Sequence, residues 1–210
     1  MITLNYPFPQ SSQTEKIKLI DSICRSGGVI IYPTETFYAI GGNALDINLG
    51  RQLSKIKNRH PNKSFPTIIG SRQALDKLIP TLPQTARLLA GKYWPGALTM
   101  ILPGLKELPA AILGKDGTVA VRWSSHPLIA DLVKISHLPL ISTSANLSDQ
   151  PPTARADQLD PQLLCRVDLL IVADNQNLEP QPSTIIDVRV DPPKLLRAGE
   201  IVINELLPEA

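Results

Sequence analysis

The sequence lacks the features typical of a membrane protein, of a secreted protein and of a protein that binds nucleic acid through a high net positive charge. No apolar run approaches the roughly 20 residues of a membrane-spanning helix, which argues against a transmembrane role. The only two cysteines, Cys24 and Cys165, lie far apart, and nothing at the N-terminus resembles a secretory signal. We therefore expect a cytoplasmic protein with free thiols. The 21 Lys and Arg against 19 Asp and Glu leave a formal charge of +2, so any anion-binding site must be local.

Motifs of several common enzyme classes are missing as well. There is neither a Walker P-loop nor a Gly-x-Gly-x-x-Gly turn, and residues 113–116 lack both the upstream glycine and the following hydroxyl of a P-loop. The absence of Gly-x-Ser-x-Gly argues against the nucleophile of an α/β-hydrolase. Because the histidines and cysteines show no metal-ligand spacing, we expect no metal held by protein ligands alone. His126 is expected to open a helix before Pro127.

What the chain does contain is enough apolar sequence for a core. A hydrophobic content of 43% over 210 residues fits one domain spanning 1–210. A capping pattern from Ser12 to Glu15, with apolar residues at helical spacing, predicts a first helix that ends at Gly27. Apolar and β-branched runs predict strands at 29–32, 67–70, 98–102, 118–122, 140–142, 169–172, 184–187 and 201–203. Helical patterns lie between several of them, at about 48–57, 71–79, 84–92, 126–136 and 159–166. This alternation indicates an α/β fold with a twisted, mixed sheet and flanking helices.

Polar residues come directly after several predicted strands. Thr34 follows the first strand, Arg122 ends another, and residues 142–146 (Ser-Thr-Ser-Ala-Asn) end a third. Ser183 and Arg197 flank the last ones. In open α/β sheets ligands commonly sit at the carboxyl ends of strands, and hydroxyl, amide and guanidinium groups bind phosphate or carboxylate oxygens. Taken alone, each segment also fits a plain capped turn or, for the arginines, a surface ion pair.

A basic cluster ends the helix predicted at about 48–57. It comprises Lys55, Lys57 and Arg59, followed by Lys63. Cations are favourable at the C-terminus of a helix, so a solvated helix end explains the cluster as well as an anion site does. Residues 94–96 (Trp-Pro-Gly) are interpreted as a packed turn with a structural role.

Eight short motifs, taken in order, resemble those of the YrdC/TsaC family of threonylcarbamoyl-adenylate synthases. They are Pro-Thr-Glu-Thr from residue 33, Lys-x-Arg from 57, Trp-Pro-Gly from 94, Ala-Val-Arg from 120, His-Pro from 126, Ser-Thr-Ser-Ala-Asn from 142, Pro-Ser-Thr from 182 and Arg-x-Gly from 197. One such tripeptide is weak evidence, but eight in the right order are specific. The resemblance covers about residues 14 to 203 and implies a twisted open α/β sheet around a large, basic, concave cavity.

The resemblance also implies roles for individual residues. Contacts with ATP would come from Lys57, Arg59, Lys63, Asn146 and Arg197. Threonine would be held by Thr34, Arg122, Ser144 and Ser183. Because Lys57 and Arg59 are placed in an exposed cleft, replacing either with alanine is expected to cost far more activity than stability.

The implied reaction joins threonine, bicarbonate and ATP. Threonine's amine captures bicarbonate or carbon dioxide as a carbamate, which then attacks the α-phosphorus of ATP and expels pyrophosphate. No covalent enzyme intermediate is needed, and Mg²⁺ would be held mainly by the ATP phosphates and water. The product serves the threonylcarbamoyladenosine modification of tRNA. The chain resembles the short form of the family, which implies a downstream protein that transfers the product onto tRNA. A contact with tRNA or double-stranded RNA is also expected.

The chain departs from the family pattern at four positions. Ala39 stands where glycine is usual and Asn43 where aspartate is usual. His60 replaces a proline, and Asp149 replaces a glycine and adds a negative charge beside the proposed anion site. These departures keep open a non-catalytic nucleotide- or RNA-binding paralogue. A carbamoyl-transfer enzyme acting on another acceptor is a third hypothesis.

Overall fold

A computed structural model describes residues 1–58, 63–148, 150–173 and 180–203 of the chain. Its strands are β1 (Ile2–Tyr6), β2 (Ile30–Tyr32), β3 (Ala39–Gly41), β4 (Thr67–Ile69), β5 (Leu98–Pro103), β6 (Thr118–Trp123), β7 (Leu140–Ile141), β8 (Thr143–Ser144), β9 (Leu169–Ala173), β10 (Thr184–Asp187) and β11 (Lys194–Arg197). Its helices are α1 (Gln13–Arg25), α2 (Leu49–Lys57), α3 (Arg72–Asp76), α4 (Gln84–Tyr93), α5 (Pro127–Ser136) and α6 (Pro161–Leu164), with a 3₁₀ turn at Ala156–Gln158.

The strands form two mixed sheets. A five-stranded sheet has the order β1-β9-β2-β3-β8, and a six-stranded sheet has the order β11-β10-β5-β6-β4-β7. The chain passes from the second sheet to the first between β7 and β8, with Ser142 as the single residue between them. The segment from residue 142 to 146, singled out for its hydroxyls, therefore lies where the two sheets meet.

Burial of apolar side chains explains why the central elements form. All three residues of β2 are fully buried, and α1 buries Ile17, Ile20 and Cys24, which share one helix face at spacings of three and four. That face packs against α5. Each fully buried Ile or Leu side chain contributes about 1.5–3 kcal/mol relative to an exposed one. Helix α1 ends because Gly27 adopts a left-handed φ of 83°, which glycine tolerates without strain.

The predicted mixed α/β fold with flanking helices is confirmed, although the strands divide between two sheets instead of one. The predicted helices are present, and so are all the predicted strands except 201–203. Helix α1 begins directly after Ser12 as expected, but the predicted capping bond is absent because the Ser12 hydroxyl donates to the carbonyl of Pro9 instead. Within the described ranges, every helix is too short or too polar to cross a bilayer.

The two cysteines differ sharply in their surroundings, and this gives a direct test of the core. Both are free, as expected, with Cys24 buried and Cys165 exposed. Burial, together with the Asp21 carboxylate, raises the pKa of the Cys24 thiol to about 12. Because the thiolate is the reactive form, we expect a thiol reagent at about pH 8 to modify Cys165 alone in the folded protein and both cysteines in denaturant. Peptide mapping by mass spectrometry checks this, and equal labelling of the folded protein would contradict the burial of Cys24.

Candidate functional site

A cavity of about 280 Å³ lies at the junction of the two sheets. Most of its described lining residues are of types that carry a hydroxyl group: Thr34, Thr36, Tyr38, Thr67, Thr99, Ser142, Thr143, Ser144 and Ser183. Two arginines, Arg122 and Arg197, also line it, and none of the described lining residues is a carboxylate. The cavity is thus suited to an anionic ligand that also needs hydrogen-bond partners.

The turn after β2 is fixed by its own threonines. The Thr34 hydroxyl donates to the Phe37 carbonyl at 2.7 Å and accepts from the Thr36 amide at 3.2 Å. A side chain that closes its own turn in this way holds the backbone in place. Thr34 is fully buried, so it both shapes the turn and lines the cavity.

Arg122 is held in the cavity wall by the same turn. Its Nη1 donates to the Thr36 hydroxyl at 3.0 Å and lies 3.5 Å from Glu35 Oε1. The other Glu35 oxygen accepts from the Ser124 hydroxyl at 2.5 Å, while Oε1 has no hydrogen-bond partner within the described part of the chain. A guanidinium has five N–H donors, and among the described residues Arg122 uses only Nη1 for a hydrogen bond. The remaining donors are available to a ligand.

Arg197 reaches the cavity from the edge strand β11. Its Nε and Nη2 donate to the Ser183 carbonyl at 3.0 and 2.7 Å, and Nη2 also donates to the Ser183 hydroxyl at 2.9 Å. That hydroxyl lies 2.9 Å from the Thr99 hydroxyl. Burial, and then the positive charge of Arg122, lowers the pKa of Arg197. The two guanidinium groups therefore interact unfavourably, and an anion bound between them would relieve the repulsion.

The segment after β8 is joined to Lys57, at the end of α2. The Lys57 ammonium donates to the Ser144 carbonyl, to the Asn146 carbonyl at 2.5 Å and to Asn146 Oδ1 at 3.4 Å. The Asn146 amide nitrogen donates to the Leu147 carbonyl at 3.0 Å. Lys57 is only 4% exposed, so its predicted position in an exposed cleft is wrong. The reason is that α2 ends against this segment and covers the side chain.

The predicted site residues divide into three groups. Five line the cavity together: Thr34, Arg122, Ser144, Ser183 and Arg197. Lys57, Lys63 and Asn146 are not among its lining residues, and Lys63 is exposed. Arg59 lies outside the described residues. The contact of each residue with ATP or threonine stays a prediction.

Sequence reasoning missed several hydroxyls of the wall. Thr67 and Thr99 are buried within apolar strands, and a polar residue inside a strand that is otherwise fully apolar is the signal that could have found them. Thr36 and Thr143, which stand inside two of the sequence motifs, also line the cavity. The Thr67 hydroxyl donates to the Ala120 carbonyl at 2.9 Å, so it also ties β4 to β6.

Two of the departures from the family pattern fall within the described structure. Ala39 is buried in β3, pairs with Ser144 and lines the cavity. Asn43 uses its side-chain oxygen to accept from the Leu45 amide at 3.1 Å, so it closes a local turn. His60 and Asp149 lie outside the described residues.

Two segments with a predicted structural role behave as expected. The indole nitrogen of Trp94 donates to the Leu98 carbonyl at 2.7 Å and the ring lies against Trp123, which confirms the packed turn. His126 precedes α5, and its Nδ1 accepts from the Leu128 amide at 3.2 Å, so it opens that helix. Burial lowers the pKa of His126, while the Glu35 carboxylate opposes this shift.

A second, more open cavity adjoins the first. It has a volume of about 440 Å³ and shares Phe37 and Pro152 with the first cavity. Thr153, Arg155 and Gln158 supply its polar groups.

In the part of the chain that the structure describes, no group of three or more His, Cys, Asp or Glu side chains is placed to hold a metal ion.

Comparisons by family model, by sequence and by structure agree on the proteins that this chain is similar to. The family model Sua5_yciO_yrdC, described as telomere recombination, matches residues 22–199. A threonylcarbamoyl-AMP synthase from Pyrococcus abyssi is 33% identical over 156 residues, which are 74% of this chain and 46% of that protein. The structure of P. abyssi Sua5 complexed with L-threonine superimposes with a TM-score of 0.84 at 31% identity, covering 94% of this chain and 57% of that one. E. coli YciO superimposes with a TM-score of 0.82 at 28% identity, covering 98% of each chain. The chain thus spans about half the length of the P. abyssi relative and nearly all of YciO.

Proposed function

Because the chain belongs to the Sua5/YciO/YrdC family, we propose that it makes threonylcarbamoyl-AMP and pyrophosphate from L-threonine, bicarbonate and ATP. The observation that carries this proposal is the convergence of Thr34, Arg122, Ser144, Ser183 and Arg197 on one cavity. The similar P. abyssi protein is named for this activity, and P. abyssi Sua5 is the protein seen with L-threonine.

Threonine is proposed to bind beside Arg122. Its carboxylate would accept hydrogen bonds from the guanidinium donors that the protein leaves available. Thr36 and Glu35 both contact Nη1 of that guanidinium, so it is oriented before the ligand arrives. Ser144 and Ser183 supply hydroxyls in the same cavity for the polar groups of threonine.

ATP is proposed to extend from Arg197 toward the second cavity. A volume of about 280 Å³ lies just below the range of roughly 300–1,000 Å³ usual for small-molecule sites, so the two substrates together are expected to need space beyond the first cavity. The second cavity begins at the shared wall of Phe37 and Pro152. Lys57, Arg59, Lys63 and Asn146 remain the proposed further contacts with ATP.

The proposed chemistry depends on positioning and charge. Threonine's amine forms a bond to the carbon of carbon dioxide and loses a proton to solvent, which gives a carbamate. With bicarbonate the bond from that carbon to the hydroxyl oxygen breaks as the new bond forms, and the hydroxyl leaves as water with the amine proton. A carbamate oxygen then bonds to the α-phosphorus while the bond from that phosphorus to the bridging oxygen breaks, and pyrophosphate leaves with those electrons. Arg122 and Arg197 would stabilise the negative charge of the carbamate and of the phosphate groups in the cavity.

Mg²⁺ is proposed to enter with ATP. The described lining residues offer hydroxyls and guanidinium groups and no carboxylate, which is a poor donor set for this ion. The residues of this chain therefore fit a metal held by phosphates and water. The product would then be passed to another protein that transfers the threonylcarbamoyl group to tRNA, and any tRNA contact of this chain belongs to the same proposal.

The test is a product assay with the full chain. Incubation with ATP, Mg²⁺, threonine and labelled bicarbonate is expected to give a labelled adenylate and one pyrophosphate for each adenylate. Omitting threonine should abolish both signals, because the carbamate is the nucleophile. ATP binding without any threonine-dependent product, under conditions in which a known synthase works, would overturn the proposal and leave a non-catalytic nucleotide-binding paralogue.

A further inference from the structure

Four polar side chains of the cavity wall form a row across four neighbouring strands. Strands β6, β5, β10 and β11 lie side by side in this order, and the row consists of Arg122, Thr99, Ser183 and Arg197. Thr99 and Arg122 pair directly across β5 and β6, so their side chains point to the same face of the sheet. Ser183 immediately precedes β10, and Arg197 ends β11. Two hydroxyl groups thus stand between two guanidinium groups.

The two hydroxyl groups carry one more proton than their protein partners accept. Ser183 Oγ accepts from Arg197 Nη2 at 2.9 Å, because a guanidinium can only donate. Ser183 and Thr99 share one hydrogen bond of 2.9 Å, in which either oxygen can donate, so one of their two protons is used. Among the described residues neither hydroxyl has a further hydrogen-bond partner. The pair therefore keeps one O–H donor for a ligand in the cavity.

Thr67 is a structural threonine in the same wall and shows the contrast. It is buried in an apolar strand, as Thr99 is, but its hydroxyl donates to the Ala120 carbonyl at 2.9 Å. Within the described ranges the Thr99 hydroxyl makes no such bond to a backbone carbonyl. A buried donor without an acceptor is costly, so a ligand that accepts from the Thr99–Ser183 pair explains the pair better than strand pairing does.

The connectivity of the proposed product places the bicarbonate carbon between the two arginines. In threonylcarbamoyl-AMP that carbon is bonded to the nitrogen of threonine on one side and, through an oxygen, to the α-phosphorus on the other. The threonine carboxylate is proposed to bind at Arg122, and the nucleotide is proposed to extend from Arg197. The positive charge of Arg122 lowers the pKa of Arg197, so the two groups are close enough to interact. The hydroxyls of Thr99 and Ser183 lie between them.

We infer that Thr99 and Ser183 form the subsite for bicarbonate and for the carboxyl group that it becomes, and this inference rests on the proposed function. One bicarbonate oxygen accepts the free hydroxyl proton of the pair. Threonine's amine bonds to the bicarbonate carbon, the bond to the hydroxyl oxygen breaks, and that hydroxyl leaves as water with the amine proton. The same O–H donor then holds one oxygen of the carbamate, so the other oxygen stays directed at the α-phosphorus.

The experiment measures initial rates of pyrophosphate release by the full-length protein in buffer depleted of carbon dioxide, with bicarbonate as the varied substrate. Thr99→Val keeps the shape of the side chain and removes its hydroxyl. The KM for bicarbonate is expected to rise about 10-fold or more, because a hydrogen bond to a charged group contributes this much to binding. The KM for threonine and the KM for ATP should stay unchanged. Thr99→Ser keeps the hydroxyl and should keep the KM for bicarbonate close to that of the unmodified protein.

Thr118→Val is the matched control for Thr99→Val. Thr118 is buried in the adjacent strand β6, is not among the lining residues of the cavity, and donates its hydroxyl to Asp116 at 2.6 Å. The variant makes the same chemical change and should leave the KM for bicarbonate unchanged.

Ser183→Ala covers the case in which Thr99→Val fails to fold. It removes the other hydroxyl of the pair and keeps the backbone carbonyl to which Arg197 also donates, so Arg197 stays in place. The KM for bicarbonate should rise more than the KM for threonine. An unchanged KM for bicarbonate in a folded variant, or a rise confined to the KM for threonine, would overturn the inference. If the unmodified protein forms no threonine-dependent adenylate at all, the proposed function fails and the inference fails with it.

Discussion

Replacing Arg122 with lysine is expected to lower kcat/KM for threonine by about 100- to 1,000-fold while the protein stays folded. The guanidinium presents parallel donors that match a carboxylate, whereas an ammonium is a single point charge on a flexible stem. Lysine is chosen because it keeps a positive charge near Glu35, whose Oε1 lies 3.5 Å from Arg122 in a largely buried pair. Alanine would leave that carboxylate without its partner, which typically costs about 3–5 kcal/mol of stability. A loss of activity could then not be distinguished from a loss of folding.

Pyrophosphate release at varied threonine concentration measures the effect of Arg122→Lys. Arg72→Lys is the control, because Arg72 is an exposed arginine that pairs only with Asp76 on the same short helix within the described structure. It should leave both kcat and KM unchanged. If Arg122→Lys keeps its melting temperature and its kcat/KM for threonine, Arg122 does not bind the substrate carboxylate, and the proposed threonine site must lie elsewhere.

The sequence predicts the central elements because their own side chains are buried. The fully buried strands β2 and β4 and the largely buried strand β5 show in the sequence as apolar, β-branched segments between turn residues. By contrast, β8 is two residues long and β11 is exposed along its whole length. Such strands form only because a neighbouring strand pairs with them, and the local hydrophobic pattern of the sequence does not predict that pairing. The division into two sheets depends on the same pairings and could not be predicted for that reason.

The same distinction between local sequence pattern and long-range contact decides which site residues could be predicted. Thr34 and Arg122 could be predicted since each stands at the carboxyl end of a buried strand, where ligand-binding residues collect. The burial of Lys57 could not, because a charged residue at the end of an amphipathic helix is indistinguishable in sequence from a solvated one. Its acceptors, the Ser144 and Asn146 carbonyls, come from a segment almost ninety positions along the chain. Only the folded structure brings those groups together.

Gly41→Ala is expected to destabilise the protein by about 4 kcal/mol or more, a large part of the roughly 5–15 kcal/mol by which folded domains are ordinarily stable. Gly41 is the last residue of β3, and a Cβ atom there would lie 1.7 Å from the carbonyl oxygen of Ile141 in β7. That oxygen belongs to the backbone and cannot rotate away. The Ile141 amide also donates to the Gly42 carbonyl at 2.9 Å, so the two chains are bonded where the added atom would force them apart.

Gly91→Ala is the matched control for Gly41→Ala. Gly91 lies in α4, where an added Cβ would have no heavy atom within 4 Å beyond its chain neighbours and the backbone of its own helix, so alanine there should stabilise the protein by about 0.5–1 kcal/mol. Chemical denaturation of both variants measures the two effects, and a Gly41→Ala protein as stable as the unmodified one would show that β3 and β7 are not in this close contact. Because the contact joins the two sheets one residue before Ser142, a variant that still folds must separate them at the cavity. In that case threonine binding is expected to fall in Gly41→Ala and to persist in Gly91→Ala, which ties the stability of the sheet junction to the proposed function.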